Sequence, residues 1–131
     1  MRTIKFRGKR LDNGQWIYGY LTLISGNTAY IRNIEVKRLN VKMVDVNTIG
    51  QFTGLYDKNG REIYEGDILK QYNLKYEVCW YDDDSAFMAR QIASDKPLLM
   101  SEFEINYSKA LIMGNIHDNP ELLKGGKDGN Q

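Results

Sequence analysis

Cysteine, histidine and proline are nearly missing from this chain of 131 residues, which holds one Cys, one His and two Pro. Cys79 alone makes no internal disulfide, and His117 alone supplies no multi-histidine metal site. Long apolar runs are lacking too. No window approaches the roughly 18 to 20 consecutive apolar residues needed to cross a bilayer as a helix. The N-terminus interleaves charge with apolar residues where a secretory signal has a continuous apolar stretch. These absences lead us to expect a cytoplasmic protein in a reducing compartment, with no membrane partner. Catalytic signatures are also absent: there is no glycine-rich phosphate loop, no GxSxG elbow and no paired CxxC. An enzyme is therefore disfavoured, and no catalytic residue, cofactor or metal site is read from the sequence.

What is present is ordinary globular material, 42% hydrophobic and 27% charged, sufficient for one core or two small ones. Eighteen Lys and Arg against seventeen Asp and Glu leave a formal charge of +1, which conceals an asymmetry. Residues 1–50 hold nine bases and three acids, a balance of +6, whereas residues 51–131 hold nine bases and fourteen acids, a balance of −5. A dipolar chain favours head-to-tail contact between copies or a basic face offered to a polyanion.

Alternation of apolar and polar residues dominates, and no stretch of a dozen residues keeps a helical stripe. The fold class is mainly β, with short helical turns. Residues 3–7 read as a half-buried strand with Ile4 and Phe6 inward and Lys5 and Arg7 outward. Asp12-Asn13-Gly14 turns the chain into a returning strand over residues 15–23, and Ser25-Gly26-Asn27 turns it again into residues 28–32. A less patterned passage runs to about Asp45. Residues 48–53 form another strand, Asp57-Lys58-Asn59-Gly60 a two-residue hairpin turn, and Glu65-Gly66-Asp67 the turn into a strand at 68–72. Strands follow at 76–81 and 86–92, separated by Asp82-Asp83-Asp84-Ser85. Lys96-Pro97 breaks the pattern, residues 98–107 hold a short helix or irregular edge, and residues 110–117 form a last strand. Asn119 caps a helical turn with Pro120 at its first position and Glu121 after it. Residues 124–131, with three glycines and no apolar residue, read as a disordered tail.

Two passages repeat one plan: an aromatic-rich strand (Trp16-Ile17-Tyr18; Glu77-Val78-Cys79-Trp80), a small-plus-aromatic strand (Thr28-Ala29-Tyr30-Ile31; Ser85-Ala86-Phe87-Met88), then apolar-Gly-amide-apolar (Ile49-Gly50-Gln51-Phe52; Met113-Gly114-Asn115-Ile116). Two small β units follow, an N-terminal unit over residues 1–53 and a C-terminal one over residues 54–123.

Arg2-Thr3-Ile4-Lys5-Phe6-Arg7, Gly14-Gln15-Trp16-Ile17-Tyr18-Gly19, the block from Thr48-Ile49-Gly50-Gln51-Phe52-Thr53-Gly54-Leu55-Tyr56 through Asp57-Lys58-Asn59-Gly60-Arg61-Glu62-Ile63-Tyr64-Glu65-Gly66-Asp67-Ile68-Leu69, and Met113-Gly114-Asn115-Ile116-His117-Asp118-Asn119-Pro120-Glu121-Leu122-Leu123 together resemble the YopX family of phages and prophages. Gly8-Lys9-Arg10, Phe52, Tyr56 and His117 depart from its usual pattern. The resemblance implies an SH3-like barrel in the second unit, a homo-oligomer, and a phage protein in the bacterial host cytoplasm. It brings no biochemical activity and no catalytic residues.

Each candidate site has a plainer structural counterpart. Glu62, Glu65 and Asp67 are close enough to hold Mg²⁺ or to act as acid and base, but Asp67 accepting backbone N–H bonds in a turn explains them more simply. Asp82-Asp83-Asp84 reads as an exposed tip, because consecutive residues do not point together. Asp57-Lys58-Asn59-Gly60 lacks the spacing of a calcium loop. Cys79 reads as a small core residue, and His117 has no marked nucleophile. The basic segment Arg2, Lys5, Arg7, Lys9 and Arg10 remains, with Trp16, Tyr18 and Tyr20 on the adjoining strand. It is the candidate for nucleic-acid or intersubunit contacts. We expect a non-catalytic protein acting by homo-oligomeric assembly and by binding a phage or host macromolecule; the alternative is a nucleic-acid-binding module using that segment.

Overall fold

The computed structural model describes residues 3–33, 40–92, 97–99 and 107–124. Arg2 and the tail from residue 125 lie outside the described residues. The chain divides into two compact units, Met1–Gly54 and Leu55–Gln131. Both are built of antiparallel strands, so the protein is mainly β.

In the first unit, β1 (Phe6–Lys9), β2 (Trp16–Ser25), β3 (Thr28–Asn33), β4 (Val41–Asp45) and β5 (Gly50–Tyr56) lie in the order β4-β3-β2-β1-β5. After the hairpin that follows β5, β6 (Glu62–Tyr64) returns beside it as the sixth strand of the same sheet. In the second unit, β7 (Asp67–Gln71), β8 (Leu74–Tyr81), β9 (Ala86–Gln91), β10 (Pro97–Leu99) and β11 (Leu111–Asn115) lie in the order β10-β9-β8-β7-β11. Apart from the sixth strand, β6, the two orders correspond: four strands meander, and a fifth lies beside the first. A 3₁₀ turn precedes the fifth strand in each case, Val46–Thr48 before β5 and Tyr107–Lys109 before β11. The expected repeat thus appears as a shared strand order, in which Gly50 and Gly114 correspond, each pairing with the second residue of the unit's first strand, Arg7 and Ile68. Trp16 and Glu77 do not, since Trp16 opens β2 and Glu77 is the fourth residue of β8, and Ser85 lies in the turn before β9.

Alternation sets the cores. Ile17, Ala29, Ile31 and Val44 are buried in the first unit with Phe6, Leu21, Val46 and Ile49 packed on them, each large aliphatic contributing about 1.5–3 kcal/mol. Ile63, Leu69, Val78 and Ala110 form the second core, flanked by Leu55, Tyr107 and Ile112. Gly8 is where β1 admits the first core: a Cβ there would stand 3.0 Å from Val44 Cγ2 and 3.2 Å from Ile31 Cδ1.

Several local expectations change. β1 begins at Phe6, not at residue 3, and Ile4 is exposed. The passage before Asp45 contains β4, whose Val44 is buried while Val41 and Met43 face out. The Asp57 hairpin is longer than a two-residue turn. Asp57 N–H donates to Arg61 O, Gly60 N–H donates to Asp57 O, and Gly60 alone takes a positive φ, +80°, the pattern of a three-residue loop. Gly26, at +60°, does occupy a two-residue turn, because Ser25 pairs with Thr28. Pro97 opens β10, a sheet-edge strand, where proline's missing donor is tolerated.

Candidate functional site

The register of the first sheet decides which side chains face away from its core. Gly8 pairs with Ile17, Arg7 with Tyr18, and Lys9 with Trp16. Since Ile17 is inward, Trp16, Tyr18 and Tyr20 point outward. Tyr18 is 40% and Tyr20 48% exposed. Tyr20 pairs with Arg32, and Arg32 in turn with Val41; both are exposed. The result is one outward surface on which aromatic and cationic side chains alternate across strands.

The basic segment divides on this surface. Lys5 Nζ lies 5.3 Å from the centroid of the Phe52 ring, the Arg7 guanidinium 4.6 Å from the Trp16 ring, and Lys9 Nζ 5.7 Å from the same ring. Such cation–π contacts are worth about 0.5–2 kcal/mol each, rising with desolvation. Arg7 is 5% exposed, so the expectation that it stands on a solvated face is corrected. Its stem packs as hydrocarbon while its planar head lies over Trp16. Arg10 leaves the group. Its Nε and Nη2 donate to the two Asp12 oxygens at 2.9 and 2.7 Å, and this hydrogen bonding raises the Arg10 pKa and lowers that of Asp12. At this exposed tip Asp12 already occupies the guanidinium's bidentate fork.

The sequence alone misses Arg32, which joins the surface only through the β2–β3 register. It also leaves open which side the aromatic row takes. Trp16, Tyr18 and Tyr20 alternate with Ile17, Gly19 and Leu21, and both sets are apolar. The usable signal is that the set with glycine and aliphatics fits a crowded interior, while tyrosine tolerates water at its hydroxyl.

The acidic candidates resolve into local structure. Tyr64 N–H donates to Asp67 Oδ2 at 2.8 Å, Tyr64 Oη–H donates to Glu62 Oε1 at 2.9 Å, and Gly66 takes φ +95°, which is the turn expected there. Asp82–Asp84 is an exposed 3₁₀ turn whose first carboxylate accepts from Trp80 Nε1–H at 2.7 Å. Among the described residues, no three His, Cys, Asp or Glu side chains gather as a metal site would need.

Asp57 is the buried carboxylate the sequence undervalues. Its side chain has no exposed area. It accepts from Asn59 N–H and Arg61 N–H at 2.9 Å and from Ile112 N–H at 3.1 Å, and Arg61 Nε–H approaches at 3.2 Å. Burial pushes its pKa up, but these donors outweigh it and the net shift is downward. It ties the hairpin to β11.

Cys79 does have a cation near it, Arg90, which is ion-paired to Glu77 across the strands. Burial first, and then the Glu77 charge, nevertheless push the thiol up to about 11, which disfavours the nucleophilic thiolate. His117 sits in a loop organised by Asn115, whose Oδ1 accepts from the N–H groups of His117 and Asp118 at 2.9 and 2.8 Å. Asn119 precedes the 3₁₀ turn Pro120–Leu123 without capping it. Its Oδ1 turns back to accept from Asn115 N–H at 3.2 Å, and a Cβ on Gly114 would stand 2.3 Å from that oxygen. The Gly114-to-Asn119 stretch is thus a loop scaffold.

No described helix is long and apolar enough to cross a membrane. The family model described as "YopX protein" matches residues 5–124. A crystal structure described as that of protein EF1440 from Enterococcus faecalis is similar, with a TM-score of 0.60 and 26% sequence identity, covering 95% of this chain and 100% of that one. No curated protein matches the chain.

Proposed function

The chain belongs to the YopX family, and from that membership we propose that it is a phage or prophage accessory protein of the bacterial cytoplasm, acting by homo-oligomeric assembly and by binding a macromolecular partner. The observation that carries this reading is a coincidence of boundaries. The cut between the compact units falls at Gly54, and it also divides the charge, since residues 1–54 hold nine bases and three acids while the remainder holds nine bases and fourteen acids. Each copy therefore offers a positive unit and a negative one. That favours head-to-tail contacts in which unlike units of neighbouring copies face each other.

Exposed apolar side chains supply the contact material such interfaces use: Tyr18, Tyr20 and Met43 on the first unit, Leu74 and Trp80 on the second. The strand order, a meander with its fifth strand beside its first, supports reading the second unit as an SH3-like barrel. That architecture hosts many binding functions and dictates none of them. Light scattering on the full chain at micromolar concentration tests the assembly. We expect a mass several times the 15.2 kDa of one chain, and a single-chain mass would defeat it.

A further inference from the structure

We propose that the outward face of the first sheet binds single-stranded nucleic acid, with bases stacked on Tyr18 and Tyr20 and phosphates met by Lys9 and Arg32. This names the partner in the binding function proposed above and rests on that reading. Three features lead to it.

Spacing is the first. Tyr18 and Tyr20 are alternate residues of one strand, so their Cα atoms lie about 6.6–6.8 Å apart. That is roughly twice the 3.4 Å rise of a strand in duplex DNA. Two successive bases seated on these rings cannot remain stacked on each other, which suits an extended single strand and excludes a duplex. Exposure is the second feature. Both rings are open to solvent at 40% and 48%, although a tyrosine ordinarily buries much of its area. A sequence-tolerant platform needs that access, because every base offers a π-face.

Charge is the third. Lys9 and Arg32 flank the row on either side, on β1 and β3. Lys9 and the buried Arg7 are held against Trp16, so the cations beside the row are positioned. Among the described residues of β1 to β4, the one carboxylate on this face is Asp45 at the end of β4, and it is engaged in accepting from Asn47 N–H at 3.0 Å. Charge complementarity therefore selects a polyanion, and the aromatic spacing selects an unpaired one.

Fluorescence anisotropy of the full chain with labelled oligothymidylate, oligouridylate and a DNA duplex of equal length tests the proposal, with light-scattering masses taken on the same samples. At least one single strand binds and the duplex binds far more weakly. Tyr18→Ala and Tyr20→Ala each weaken single-strand binding by roughly 5- to 150-fold, whereas the double Tyr→Phe variant keeps it. Lys9→Ser with Arg32→Ser lowers the slope of log affinity against log salt by about 1.4, about 0.7 for each phosphate that is no longer neutralised. Thermal melts of the variants stay near that of the parent, because the side chains are at the surface. The inference is overturned if neither single strand binds, if the duplex binds equally well, or if the alanine variants bind like the parent. A multi-chain mass without oligonucleotide binding sinks this inference alone and leaves assembly standing. If the alanine variants fall to single-chain mass and the parent binds no oligonucleotide, the face is a contact between copies and the proposal fails.

Discussion

Replacing Asp57 by alanine removes an acceptor from three backbone N–H groups at once, those of Asn59, Arg61 and Ile112. A hydrogen bond to a charged group contributes about 1.5–3 kcal/mol, and a buried donor left unsatisfied costs about 1–3 kcal/mol. Asn59 and Arg61 are exposed, so water reaches their amides once the carboxylate is gone, whereas Ile112, packed on the core, is served less well. We therefore expect a loss of about 3 kcal/mol, below the roughly 4.5 kcal/mol at the low end of the three-bond total because water takes over two of the amides. For urea slopes of about 1–3 kcal/mol per molar, that lowers the unfolding midpoint by roughly 1–3 M. Trp80 fluorescence in a Trp16→Phe background reports on the second unit alone. Asp57→Asn keeps the volume but sets an amide where an oxygen faces Ile112 N–H and Arg61 Nε, so its loss is intermediate. The pH dependence has a definite sign. The folded pKa is lowered, so this carboxylate's contribution is complete above the unfolded value of about 3.9 and is lost as pH falls through the folded one. Part of the parent's acid sensitivity should accordingly vanish in Asp57→Asn. An alanine variant within about 0.5 kcal/mol of the parent, the scatter of ordinary surface changes, would refute the reasoning.

Gly8→Ala places a methyl group 3.0–3.2 Å from Val44 and Ile31. Overpacking at about 1–3 kcal/mol outweighs the entropic gain of about 0.4–1 kcal/mol, so thermal denaturation should show a lower Tm, and an unchanged or higher Tm contradicts the close approach. Cys79, held up to about 11, should react with a disulfide reagent at pH ~8 roughly 100-fold more slowly in the folded chain than in denaturant. The stability tied to this raised pKa is complete below the unfolded value of about 8.5 and is lost as pH rises towards the folded one. Equal labelling rates would show the thiol to be open.

Turns and cores were readable because their causes are local. Gly26 and Gly60 sit where a hairpin needs positive φ, Asp67 accepts from a residue three positions away, and Ile17, Ile31 and Val78 alternate with their neighbours. The repeated plan was readable only in its strand order, since corresponding strands begin with different residue types, Trp16 against Leu74 and Thr28 against Ala86. What stayed hidden depends on partners distant in sequence. Asp57 owes its importance to Ile112, and Gly114 owes its own to Asn119 folding back on Asn115. Arg7 looked like a solvated residue because alternation assigns it a face without telling whether that face is wet. Its burial follows from Trp16 across the ladder, which sequence spacing does not disclose. The binding face lay half hidden for a related reason: the strand 16–21 is apolar on both sides, and only the register against Gly8 and Ile31 sends the aromatics outward.

The mass of the full chain in solution as salt is raised tests the central claim most directly. If positive and negative units of neighbouring copies hold the assembly, the mass is several multiples of 15.2 kDa at low salt and declines as screening shortens the reach of the charges. A 15.2 kDa particle at low salt would contradict the account.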